Sequence, residues 1–368
     1  MYCRSLQIQP QLTYEQANII NEFRVLLSQL TYLTRFYIIE ESIAGLGDPQ
    51  DTINELLKLP IKGNELIKSI EGVEGDFTPI TESYITGVKN LIDAIISGDQ
   101  KKADESIRQL YEIADQNAKF LAELSPYWDE EKWRDLFYIL NRDLVAEVIA
   151  IQTGDYNKAL DIFERSMEEA LKRADYYAEG VIHLLPEDQQ KVPITYFNMI
   201  KDFRKLRTEW AYLTRFYIVA RIVGFGDEGY VTQRLYELTQ QMKEKFELIL
   251  GTEVAHELLN HLSIYIIRTE ELINAILSGD QAAIEAQTNA FYQYGDNLSA
   301  YLGSINPYWD ETVWKQLFNT SAEFIIKESY EFLTKDYAAA MKTFEELLYS
   351  FLAIGDYFAL GLYQYATM

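Results

Sequence analysis

The chain repeats itself, and that limits its fold more than any other feature. Tyr32-Leu33-Thr34-Arg35-Phe36-Tyr37-Ile38 recurs unchanged as Tyr212 to Ile218, 180 residues later. Leu91-Ile92-Asp93-Ala94-Ile95-Ile96-Ser97-Gly98-Asp99 returns as Leu272-Ile273-Asn274-Ala275-Ile276-Leu277-Ser278-Gly279-Asp280, offset by 181. Pro126 to Glu130 returns as Pro307 to Glu311, Trp133 as Trp314, and Asp175-Tyr176 as Asp356-Tyr357, at the same 181. An offset held to within one residue over separate islands means that a whole domain was duplicated. The period is far longer than the roughly 20–50 residues of solenoid repeats. The sequence therefore divides into copy one, residues 1–185, and copy two, residues 186–368. The linker falls at Leu185-Pro186-Glu187-Asp188, where proline disfavours continuation of the preceding helix.

Each copy has the pattern of an all-α domain. Phe23, Leu26, Leu27, Leu30, Leu33 and Tyr37 advance in three- and four-residue steps, which puts them on one face of a helix. Breaks fall at Gly98-Asp99, Gly154-Asp155 and Gly279-Asp280, where a glycine ends one helix and an aspartate can cap the next. Ser125-Pro126 and Asn306-Pro307 make similar breaks, and Asp129, Glu130 and Glu131 follow where a helix dipole favours acids. The pattern predicts long helices over 14–44, 77–97, 99–123, 129–153 and 155–184, with a short helical stretch over 51–72. In copy two they fall over 194–223, 252–277, 280–304, 309–333 and 335–364, and no strand is expected. Short connections between long helices imply two tandem up-and-down bundles of four to five long helices each.

Charge narrows the partners. The net charge is −24, with −14 carried by residues 1–184 and −10 by residues 185–368, so both copies are acidic. Such a field repels phosphate backbones and anionic lipid, which argues against nucleic acid and membrane surfaces and leaves a basic protein partner, self-association or a cation. No uncharged apolar run approaches the length of a membrane span, and the start of the chain lacks an apolar signal core. A single cysteine, Cys3, fits a reducing compartment, so a cytoplasmic protein is expected. Aromatic residues make up 14% of the chain, enough for thick helix seams or an aromatic-lined pocket.

Arg35 and Arg215 stand first among residues that could carry chemistry, because each lies in the identical island among large apolar side chains. A guanidinium in such a place needs partners, since an unpaired buried charge is costly. Carboxylates present in both copies are Asp115/Asp296, Glu147/Glu328 and Asp175/Asp356. They offer either internal ion pairs that fix helix register or, together with the arginines, a site for a small anionic ligand. Tyr127-Trp128 and Tyr308-Trp309, with Trp133 and Trp314, either plug one end of each bundle or form a rim for a partner. His256 and His261 stand five apart, whereas the zinc-protease helix needs a spacing of four, and Glu253-Val254-Ala255-His256 is only one of the two such pairs a di-iron bundle requires. No nucleophile elbow, phosphate loop or Cys–His pair is present, so no reaction and no cofactor is called for by the sequence.

Taken together, Leu33-Thr34-Arg35, Gly47-Asp48, Gly98-Asp99 and Pro126-Tyr127-Trp128 resemble the pattern of an uncharacterised family of small helical-bundle proteins from spore-forming Gram-positive bacteria. Members are often labelled acetylglutamate kinase. Copy two matches better, through Tyr212-Leu213-Thr214-Arg215, Gly226-Asp227, Tyr230 to Leu235, His261, Gly279-Asp280 and Asn306-Pro307-Tyr308-Trp309. The resemblance implies a single-domain bundle, here doubled, with histidines from three helices as an interior ligand set. Only His261 is present in this chain; the aligned positions hold Trp210 and Ser321 in copy two and Leu30, Ile80 and Leu140 in copy one. The kinase label is at odds with the residues, because such kinases are α/β proteins with glycine-rich nucleotide loops.

Three functions are therefore expected in order: an acidic, self-associating interaction or structural protein without enzymatic activity, a bundle that binds a small molecule or metal ion, or a metal-dependent or carboxylate-based enzyme. Candidate ligand-binding residues are Arg35, Asp115, Asp175, Arg215, Asp296 and Asp356, with His261 as the candidate metal ligand, so copy two is the expected seat of a site.

Overall fold

The computed structural model describes residues 11–43, 45–68, 70, 75–183, 185, 191–224 and 227–368. It is all-α, and it divides into two compact units at Val192/Pro193, seven residues beyond the boundary expected from sequence. Unit one contains α1 (Tyr14–Ser42), α2 (Pro49–Leu56), α3 (Lys58–Lys68), α4 (Thr78–Ile96), α5 (Gln100–Leu124), α6 (Glu130–Gln152) and α7 (Tyr156–Ile182). Unit two contains α8 (Ile194–Val223), α9 (Glu228–Leu250), α10 (Thr252–Ser278), α11 (Gln281–Ile305), α12 (Glu311–Leu333) and α13 (Tyr337–Thr367). Of the predicted linker only Leu185 lies among the described residues; Cys3 and Gly226 also lie outside them.

In both units each helix packs against its neighbour in sequence, and the last closes back on the first: α7 on α1 and α13 on α8. These are up-and-down bundles. Their first helices run through the middle. α1 touches α2, α3, α4, α6 and α7, and from Leu27 to Ile39 it is buried on most faces. α8 is buried almost continuously from Leu206 to Ala220. A helix apolar all round belongs in an interior, and this explains why the seven-residue island, in the middle of α1 and α8, is the longest unchanged stretch.

Two elements depart from the sequence expectation. Unit two has α9, a continuous helix whose buried Val231, Leu235, Leu238, Met242 and Phe246 follow helical steps. Its counterpart in unit one is divided into α2 and α3, with Pro60 just inside α3. Proline lacks the N–H that would bond back into the preceding turn, so one helix becomes two. A small sheet also pairs β1 (Gln11–Thr13) with β2 (Lys191–Pro193), too short to show an alternating pattern.

The caps expected at Asp99, Asp155 and Asp280 form, each aspartate accepting a backbone N–H in the first turn of the following helix. Asp310 and Asp336 do the same, as does Asp129, which caps α6 although the sequence pattern places it inside the first turn. Where unit one turns with Gly154 at φ 74°, unit two holds Lys335 at φ 62°, a left-handed conformation that a lysine adopts at some cost.

One end of each bundle is closed by an aromatic plug. Trp128 Nε1 donates to the Tyr176 carbonyl at 2.9 Å, and Trp309 Nε1 to the Tyr357 carbonyl at 3.1 Å. The tyrosine hydroxyls accept from the backbone N–H groups of Asp129 and Asp310, both at 2.6 Å. Each indole lies on a glycine of the last helix; a Cβ on Gly180 would stand 1.8 Å from Trp128 Nε1, and one on Gly361 1.9 Å from Trp309 Nε1. Among the described residues no helix is long and apolar enough to cross a membrane. Gly180→Ala and Gly361→Ala should each lower stability by about 1–3 kcal/mol or more, since the indole must leave its position. Urea unfolding followed by tryptophan fluorescence would check this, and an unchanged midpoint would contradict the plug's tightness.

Candidate functional site

Arg35, fully buried on α1, reaches Glu147 Oε1 on α6 at 2.7 Å and the Ala159 carbonyl on α7 at 3.4 Å. Its guanidinium also lies over the Phe163 ring, 5.1 Å from the centroid. Arg215 on α8 repeats the arrangement with Glu328 on α12, the Ala340 carbonyl on α13 at 3.1 Å, and Phe344 at 5.1 Å. Each arginine therefore pins three helices. Burial pushes the Glu147 carboxyl above the usual range and the Glu328 carboxyl up to about 7, because the pull of the paired arginine only partly offsets desolvation.

The other candidate carboxylates lie elsewhere. Asp175 holds Arg24 through both oxygens, at 2.9 and 3.0 Å, and Asp356 holds Arg204 at 2.6 and 2.7 Å. These pairs tie the first helix of each unit to the last, near its surface. Asp115 accepts from Arg134 Nε at 3.0 Å and from the Tyr138 hydroxyl at 2.9 Å on the half-exposed α5–α6 seam. Asp296 lies on α11 near Lys315, whose ammonium it helps to stabilise. The carboxylate that meets each island arginine is thus the glutamate, Glu147 or Glu328. His261 is half-buried between α10 and α11. The Tyr294 hydroxyl donates to the His261 carbonyl at 2.9 Å and lies 3.0 Å from its Nδ1, and the imidazole stacks on Tyr301 at 4.4 Å. Burial holds its pKa below the ordinary histidine value, so the ring is neutral at physiological pH.

Two other arginines, which the sequence comparison passed over, occupy the interior without a hydrogen-bonded carboxylate among the described residues. Arg173 on α7 is 2% exposed, and its Nη1 and Nη2 have no hydrogen-bond partner among the described residues. Arg207 on α8 is 1% exposed, and its Nε and Nη2 are in the same condition. Desolvation lowers both guanidinium pKa values, that of Arg207 to about 9, yet a guanidinium with such a value is still charged at neutral pH. Tyr84 and Tyr265, which occupy the same position in the two copies, bear on the two guanidinium groups, and the carboxylates of Glu169 and Asp143 bear on Arg173 as well. The arginines themselves do not correspond. The repeat aligns Arg207 with Leu27 and Arg173 with Ile354. Each unit therefore has a buried cation beside the same tyrosine, but on the last helix in one and on the first in the other.

Tyr84 and Tyr177, both buried, line two clefts in unit one, which share Leu30. One also touches Thr31, Leu140, Glu147 and Ser166. The other runs along Leu26, Leu27, Leu59 and Phe77. Tyr84 donates to Asn141 Oδ1 at 2.7 Å. Thus Leu30 and Leu140, two positions where the family resemblance implied histidines, face this interior space. In unit two Trp210 lies instead 4.8 Å below the Arg207 guanidinium, which Phe351 covers at 4.2 Å.

The two kinds of buried arginine differ in what their removal should do. Arg35→Met strands a buried carboxylate and should destabilise unit one by about 3–5 kcal/mol, whereas Arg173→Met removes a charge without a partner and should stabilise it by about 1–4 kcal/mol. Calorimetric melting of both variants checks the contrast, and equal losses would refute it. The Glu328 carboxyl makes a second test. An acid whose pKa is raised on folding contributes most stability below its ordinary value of 4.5, and that contribution is lost as the pH rises to about 7. Wild type should therefore lose stability relative to Glu328→Gln between about pH 5 and 7, as read from paired urea titrations. A constant difference would show that Glu328 is ionised throughout. No family model, no curated protein and no solved structure matches this chain.

Proposed function

We propose that the protein is a binding protein without enzymatic activity, whose bundle interior seats a small anion at a buried arginine. The observation that carries this is the exchange of Arg173 and Arg207 between non-equivalent helices, each beside the common tyrosine, Tyr84 or Tyr265. A charge inherited for packing alone would sit at the same position in both copies. A charge placed twice by different residues, with no hydrogen-bonded carboxylate, is what a requirement for positive potential at that spot would produce. Fork-shaped guanidinium groups suit carboxylate or phosphate oxygens, and a desolvated cation binds an anion strongly once one arrives.

This is the second of the three functions expected from sequence, moved from copy two to copy one. Copy two was favoured through His261, but that ring is taken up by Tyr294 and Tyr301 on a helix seam. The interaction reading comes next; the net charge of −24 across both copies supports it. A cytoplasmic setting fits both.

Melting temperatures of the full chain in acetate, phosphate and chloride, against a bulky sulfonate buffer, provide the test. Ligand at a hundred times Kd stabilises by about 2.7 kcal/mol, so one of these anions should raise the melting temperature by some degrees. Arg173→Met should abolish that rise. If no anion acts and solution mass shows a defined oligomer, the interaction reading takes first place.

A further inference from the structure

We infer that unit one binds a small ammonium ion, NH₄⁺ or a short protonated amine, at Glu147 in the cleft between α1, α4, α6 and α7. The inference is independent of the anion reading at Arg173. Five polar residues line this cleft: Thr31, Thr34, Tyr84, Glu147 and Ser166. What each can still offer follows from the hydrogen bonds it already makes. The Thr31 hydroxyl donates to the Leu27 carbonyl at 3.0 Å and the Thr34 hydroxyl to the Leu30 carbonyl at 2.8 Å, so both keep only lone pairs. Tyr84 donates its proton to Asn141 Oδ1, and the amide is held in that orientation by its other end, which donates to the Leu110 carbonyl. Glu147 gives Oε1 to Arg35, and its Oε2 makes no hydrogen bond among the described residues. Ser166, 5% exposed, also makes none among them. The polar lining is therefore rich in acceptors, with a carboxylate among them, and such a lining calls for a ligand that only donates. Arg35 opposes a second cation, but its pull only partly offsets the desolvation of the Glu147 carboxyl, and the net charge of −14 on residues 1–184 draws cations in.

Size narrows the class. The cavity measures about 30 Å³, and one water molecule needs roughly 10–15 Å³, so the space suits an ion of ammonium or methylammonium size. An amine head brings N–H donors and no acceptor, and the rest of the lining is aliphatic, which suits a methyl group. Divalent metals fit poorly: calcium takes six to eight oxygens and magnesium a near-ideal octahedron, whereas the lining has a single carboxylate. Unit two supplies the contrast. It carries Trp210, Ala211 and Leu347 where unit one has Leu30, Thr31 and Ser166, which removes two hydroxyls and sets an indole in place of a smaller side chain. The side chain of Glu328 is 0% exposed against 6% for Glu147. The shared glutamate thus reaches open space in unit one and is sealed in unit two.

Ammonium and methylammonium chloride are the probes, with methanol and the chlorides of tetramethylammonium, sodium and potassium as controls, each titrated calorimetrically into the full chain. One methylammonium should bind per chain. It should bind at least tenfold more tightly than methanol, which lacks the charge, or tetramethylammonium, which lacks N–H donors and exceeds the cavity. Glu147→Gln removes the charge at similar shape and should abolish binding. Ser166→Leu and Leu30→Trp install the residues that unit two carries at those positions, and each should weaken methylammonium at least tenfold while the chain still melts cooperatively. Sodium or potassium bound as tightly as methylammonium would overturn the ammonium class. If neither ammonium ion binds, or if binding ignores both Ser166→Leu and Leu30→Trp, the site itself is refuted.

Discussion

A guanidinium enclosed by hydrocarbon loses the solvation of bulk water, a penalty of several kcal/mol even after relaxation. Arg35 and Arg215 bear that penalty in the central helix of each unit, and the arrangement of the other helices answers to it. α6 and α12 must bring a glutamate to the arginine, and α7 and α13 must turn a carbonyl toward it. A helix slipped by one turn, about 5.4 Å, would leave both charges unpaired. Apolar packing is non-directional and tolerates many rotations of a helix. The ion pair does not. The Arg24–Asp175 and Arg204–Asp356 pairs and the tryptophan plugs fix the first and last helices again toward the other end.

These constraints explain which parts of the molecule were legible in the sequence. The island around Arg35 is unchanged because nearly every residue in it touches something, and its retention identified the duplication and the arginine's need for a carboxylate, though not the central place of its helix. The aspartate caps were legible because capping is local chemistry. α9 was missed although its buried residues follow helical spacing; the proline that divides its counterpart in copy one obscured the correspondence. The β1–β2 pair was illegible for a different reason, since three-residue strands depend on the meeting of distant segments.

The interior arginines were missed for the most instructive reason. Matching two copies by identity selects what stayed the same and discards Arg207 opposite Leu27 and Arg173 opposite Ile354. Each such mismatch places a charge on an otherwise apolar helix face, and the two complement each other on helices that pack together, α1 with α7 and α8 with α13. Substitutions that exchange a charge between adjacent helices leave the local potential unchanged and alter only its covalent origin. That signal exists in the sequence, but only once the helices are known to be neighbours.

The copies also differ in how the interior charge is accommodated. In unit two, Trp210 and Phe351 place ring faces against Arg207, where unit one has Leu30 and Ala170. Cation–π contact in a desolvated setting contributes about 2 kcal/mol or more, so Arg207 has part of its lost solvation restored by the protein itself. Arg173 has no hydrogen-bond partner for Nη1 and Nη2 among the described residues. Of the two buried charges, the one already covered by rings gains less from an anion.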